Sequence, residues 1–132
     1  MAKRNVGNST GVIPAGNIVW KKALVSGRQC IVKLALTADA VVPFGSSNYT
    51  PPGKTWLRKC RGPEAVVLGV YDIINYGMVR KSTLTTATSI HDPGFTYTVG
   101  EKVLPNHWDS NRYNICTGGI HFYRSMREAL RH

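Results

Sequence analysis

Apolar and polar positions alternate along much of this chain. The alternation has the two-residue period of strands rather than the 3.6-residue period of helices. Residues 18–25 (IVWKKALV) and 30–36 (CIVKLAL) are two strand candidates, joined by SGRQ, a glycine-containing loop of hairpin length. In the second, Val32, Leu34 and Leu36 fall on one face and Lys33 on the other. A third, short strand is expected over 40–44, where Pro43 marks an edge or an ending. Residues 45–53 carry two prolines and two glycines and read as a loop. Residues 64–74 (EAVVLGVYDII) are apolar on both faces, which predicts a central, buried strand ending at an Asn75-Tyr76-Gly77 turn.

The second half continues the pattern. Residues 78–89 are rich in Thr and Ser and read either as strand or as an irregular connection. His91-Asp92-Pro93-Gly94 is a turn. Phe95, Tyr97 and Val99 alternate with Thr96, Thr98 and Gly100, as in a half-buried strand. Val103 follows a further turn, and residues 106–114 form a polar connection with two aromatics. A strand over 119–124 places His121 and Tyr123 on one face, Ile120 and Phe122 on the other. Ser125 then caps a helix over 126–131, with Glu128 completing a capping box and Arg131 near the C-terminal end, where the helix dipole favours a cation. No repeat and no domain boundary interrupts this series. The expected fold is mainly β, made α+β by the short C-terminal helix: a compact antiparallel sheet, sandwich or partial barrel over 12–132. Residues 1–11, polar and basic, form a flexible arm in front of it.

Composition narrows the classes. Apolar residues make up 42% of the chain and charged residues 18%, which is globular rather than disordered. No apolar run approaches the roughly 20 residues that cross a bilayer, and no apolar stretch follows the basic N-terminus as in a secretory signal. Cys30, Cys60 and Cys116 are odd in number and far apart, which argues for a reducing compartment and for small buried side chains rather than ligands. Seventeen Lys and Arg stand against seven Asp and Glu, a formal net charge of +10, so the expected partners are polyanions or acidic proteins.

The candidate chemistry divides into two groups. Lys54, Arg58, Lys59 and Arg61 crowd around Trp56, and with Lys3 and Arg4 of the arm they form the expected partner-binding surface. Trp20 precedes Lys21 and Lys22, and such Arg/Lys–aromatic groupings also suit nucleic acid. The second group is Cys116 and His121, a thiolate–imidazole pair with Arg112 nearby and Asp109 as an orienting group. Against it stands a structural reading, in which His121 is hydrogen-bonded and the neighbouring glycines shape a turn. A zinc site would need Cys116, His121, His91 and His107, whose spacing matches no ligand pattern. No phosphate-binding loop, dinucleotide fingerprint, HExxH or GxSxG is present, and the acidic residues are scattered singly. No metal and no cofactor is expected.

Two stretches carry a resemblance: Lys59-Cys60-Arg61 with Val67-Leu68, and then Val99-Gly100-Glu101, Val103, Pro105, Asp109, Arg112, Cys116, Gly119-Ile120-His121-Phe122, Arg127 and Glu128-Ala129. In these the chain resembles an uncharacterised small domain family of large DNA viruses, phages and bacteria, sometimes found beside pentapeptide repeats. Together the stretches cover less than half of the chain. The resemblance carries over no catalytic residue. It implies a viral setting, in the virion or the host cytoplasm. The expectation is therefore a non-enzymatic structural or interaction protein. It would be a minor virion, capsid-associated component that binds acidic virion or assembly proteins through a basic surface. The alternatives are a small enzyme or ligand-binding domain using Cys116 and His121, and a sequence-independent nucleic-acid binder.

Overall fold

The computed structural model describes residues 12–42, 60–75, 78–108 and 119–131. The arm, residues 43–59 and residues 109–118 lie outside the described residues, and with them Lys3, Arg4, Lys54, Trp56, Arg58, Lys59, Asp109, Arg112 and Cys116.

The chain folds as the alternation dictates, into antiparallel strands and one helix. A four-stranded sheet runs in the order β1 (Val12–Ile13), β4 (Ala40–Val41), β5 (Cys60–Gly62), β11 (Ile120–Phe122). A larger sheet runs β10 (Lys102–Val103), β6 (Ala65–Asn75), β3 (Arg28–Leu36), β2 (Ile18–Val25), β8 (Thr86–Thr88), β9 (Thr96–Thr98), with β7 (Met78–Lys81) also paired to β6. The Thr-rich segment thus holds two short strands and an irregular link, β7 and β8, rather than one or the other.

The β2–β3 hairpin is tighter than SGRQ implied. Arg28 and Gln29 belong to β3 and pair with Val25 and Leu24, so the turn is Ser26-Gly27 alone. Both residues have positive φ, 51° and 78°, the geometry of a two-residue hairpin turn that follows the strand twist. β6 pairs β3 along its length but carries a bulge. Lys33 faces Gly69 and Leu34 faces Val67, so Leu68 is an extra residue. Beyond the bulge Tyr71 lies over Gly69, where an added Cβ would come within 2.9 Å of the ring. β6 is central, as expected, but not buried throughout: Leu68 and Ile74 are exposed.

Inward-facing apolar residues of both sheets form one core, with Val19, Ala23, Cys30, Val32, Leu34, Val67 and Val70 from the large sheet and Ile13, Ala40, Cys60, Ile120 and Phe122 from the small one. The sheets are joined where β2 and the end of β11 meet, at the Trp20–Tyr123 pair. On the other face of the large sheet lies helix α1 (Met126–Arg131). Ser125 Oγ accepts the Glu128 N–H at 3.2 Å, which is the N-cap contact read from the sequence. The helix covers Ile31 and Tyr123, with Trp20, Tyr71, Ile73, Val79 and Leu130 around them.

Candidate functional site

Along one edge β2 changes partner. Its first half meets Tyr123, just after β11, and its second half meets β8 at Leu24–Thr88. Between those contacts the neighbouring strands splay apart and a cleft of about 320 Å³ opens. Its walls come from β2 (Lys21, Lys22), the β8–β9 connection (Ser89 to Asp92), β9 (Tyr97), the segment after β10 (Pro105 to His107) and β11. Three histidines, His91, His107 and His121, reach this one cleft from three separate elements. Among the described residues, no three His, Cys, Asp or Glu side chains are placed to hold a metal ion.

The two lysines of β2 take different roles. Lys21 Nζ sits over the Tyr97 ring, 5.6 Å from its centroid. Lys22 turns to the opposite face and donates to the Leu130 carbonyl of the helix at 3.0 Å, and burial holds its ammonium below the ordinary lysine range. Tyr97 is itself buried, and desolvation, followed by the charge of Asp92, pushes its hydroxyl pKa up.

Behind the cleft, β11 pairs β5 so that His121 stands opposite Arg61. Arg61, counted in the sequence with the partner-facing basic cluster, is instead fully buried. Its guanidinium lies 5.5 Å from the centroid of the Trp108 ring. Trp108 in turn leans on Gly119: a Cβ there would meet the ring at 2.9 Å, and φ is +144°. Gly119 is therefore a glycine for close approach and for backbone conformation together.

The family can now be placed. A family of unknown function, DUF5758, matches residues 6–129. The chain belongs to DUF5758. No curated protein and no solved structure matches it. The match runs well beyond the two stretches in which the resemblance was read.

The remaining expected sites of this DUF5758 chain fall as follows. Cys30 and Cys60 are buried thiols outside any disulfide, and the Cys30 pKa is pushed up to about 11, first by desolvation and then by the charge of Asp72. Such a thiol is protonated and poorly nucleophilic near neutrality. Trp20, read as a possible stacking surface, is half-buried. Its ring lies 6.4 Å from that of Tyr71, and Lys33 Nζ is 5.6 Å from its centroid. It packs the helix side of the sheet.

A second concavity, about 850 Å³, runs between α1 and the large sheet. Ile73, Met126 and Leu130 give it an apolar surface, Lys22, Arg127 and Arg131 its charges, and Gln29 and Asn75 its neutral polar groups. Among the described residues no carboxylate lines it. The sequence placed Arg127 and Arg131 one turn apart on a helix but gave no sign that the opposing sheet face leaves a groove beside them. Among the described residues no helix is long and apolar enough to cross a membrane.

Proposed function

We propose that this DUF5758 protein is a non-enzymatic interaction module that docks an acidic, partly apolar protein surface. The observation that carries the reading is the helix-side groove, where three cations and three apolar side chains meet with no acidic residue among the described lining residues. A surface of that kind attracts carboxylates electrostatically and gains affinity from apolar burial. The excess of seventeen basic over seven acidic residues supports it by favouring long-range attraction of an acidic partner. On the resemblance alone, the setting we propose is a virus particle, with the protein as a minor capsid-associated component among other virion proteins.

The test uses a synthetic amphipathic helix with leucines on one face and glutamates on the other, titrated by fluorescence anisotropy. Binding should weaken steeply as salt rises. It should fall about a hundredfold or more in the Arg127→Gln/Arg131→Gln double variant, because each of the two lost charge-assisted contacts is worth about 1.5 kcal/mol or more. Binding that ignores both salt and the double variant refutes the groove. Tighter binding of single-stranded DNA than of the peptide would transfer the basic surface to nucleic acid. Quantitative crosslinking mass spectrometry on purified particles tests the setting, and absence of the protein from the particle removes it.

A further inference from the structure

We infer that the cleft between β2, β9 and β11 is a binding site for a small ring-bearing anion, with a phosphate monoester as the chemistry that fits it. This goes beyond the groove reading and does not depend on it. The three described histidines, His91, His107 and His121, are distant in sequence, yet all line this cleft. Lys21 adds a cation held against the Tyr97 ring. Imidazole N–H groups and an ammonium are the side-chain donors that phosphate oxygens accept from most strongly after guanidinium.

Among the described residues the cleft carries one carboxylate, Asp92. Asp92 Oδ1 accepts the Gly94 N–H at 3.1 Å, so that carboxylate is engaged in shaping the loop that presents His91. The imidazoles are not gathered in metal-holding geometry. Of the remaining walls, the partly exposed ring of Phe95 is a flat apolar surface against which a ring can lie. A volume of about 320 Å³ suits one ring and one phosphate, at the small end of ligand sites.

The arrangement also explains why β11 and β8 part along the β2 edge. A continuous ladder there would close the sheet and leave no cavity; the partner change opens one and lines it with donors.

The experiment is an amide-resolved NMR titration of the full chain with inorganic phosphate, AMP and O-phosphotyrosine. AMP and O-phosphotyrosine represent the two sources of a ring-bearing phosphate, a nucleotide and a modified side chain. At least one of them should bind about tenfold tighter than inorganic phosphate, with the largest shifts at His91, His107 and His121. His91→Ala/His107→Ala, on exposed positions, should weaken that ligand about tenfold or more while leaving the rest of the spectrum in place. Lys21→Met should weaken it independently. Equal affinity for all three probes, shifts centred elsewhere, or an unchanged affinity in the double variant would each overturn the assignment.

Discussion

The main chains of Trp20 and Tyr123 exchange two hydrogen bonds, Trp20 N–H to the Tyr123 carbonyl at 2.8 Å and Tyr123 N–H to the Trp20 carbonyl at 2.7 Å. The pair connects the four-stranded sheet to the seven-stranded one, and both sheets share one core. The two sheets should therefore unfold in one step. In native-state hydrogen exchange, the Trp20 and Tyr123 amides should open only with the global free energy of unfolding. Separate denaturation midpoints by tryptophan fluorescence and far-UV circular dichroism would contradict this.

Arg61 and Gly119 both lie against Trp108. Arg61→Lys keeps the charge but replaces a planar guanidinium with a compact, strongly hydrated ammonium. It should cost about 1–3 kcal/mol of stability. Gly119→Ala should cost a comparable amount, about 1–3 kcal/mol, from the ring overlap and the positive φ. Urea denaturation reads both, and the Gly119 variant should also shift the tryptophan emission.

At high pH the buried acids work against the fold. The Cys30 thiol is raised from 9.0 to about 11, and the Tyr123 hydroxyl from 10.0 to about 12, desolvation being the largest cause in each. Tyr97 is raised as well. Each of these groups keeps its proton in the folded state while the unfolded chain gives it up. Their stabilising effect is complete below pH 9.0 for Cys30 and below 10.0 for the tyrosines, and is lost as pH rises through the folded values. Melting temperature should drop between pH 9 and 11, the span between the unfolded and folded values of Cys30, and Tyr123→Phe and Cys30→Ala should each flatten the slope. A flat wild-type profile there would refute the assignment.

Glu64 acts at the other end of the scale. Its carboxylate meets Lys102 Nζ at 3.1 Å and accepts the Thr37 hydroxyl at 2.9 Å, and these bonds hold its pKa below the ordinary 4.5. The stabilisation is present above 4.5 and is lost as pH falls through the lowered folded value. Glu64→Gln should remove that part of the acid slope and leave the neutral-pH spectrum unchanged. An identical acid profile in the variant would show the contacts to be energetically silent.

Ser26 occupies a positive φ of 51° beside Gly27 at 78°. A serine there carries a Cβ penalty that asparagine and glycine tolerate better. Ser26→Asn should raise stability by about 0.5–1 kcal/mol, and Gly27→Ala should lower it by about 1 kcal/mol. Differential scanning calorimetry compares the two directly.

These same residues show which features the sequence disclosed. The limits of β2 and of the helix followed from period and capping, because Ile18–Val25 and Ser125–Glu128 meet their requirements locally. The hairpin turn was read two residues too long, because Ser-Gly announces a positive-φ pair less clearly than Asn-Gly does. Arg61 groups in sequence with the cations around Trp56, yet it is buried, with its guanidinium near Trp108, far along the chain. The histidine cleft had no motif spacing to betray it. It arises from where β2 changes partner, and that is a property of the assembled sheet. Lys54, Trp56, Arg58 and Lys59 of the basic cluster, and Cys116 and Arg112, lie outside the described residues.

The Leu68 bulge gives β6 a spare residue. Ala65 and Val67 face the core before it and Val70 after it, so the inward set skips one position. A chain shortened by Leu68 alone would restore an unbroken alternation with every inward side chain still inward and Tyr71 and Ile73 still toward the helix. Removing one residue elsewhere in β6 would turn half the strand over. The strand's length is therefore adjustable at one point, and that point lies at a solvent-exposed leucine.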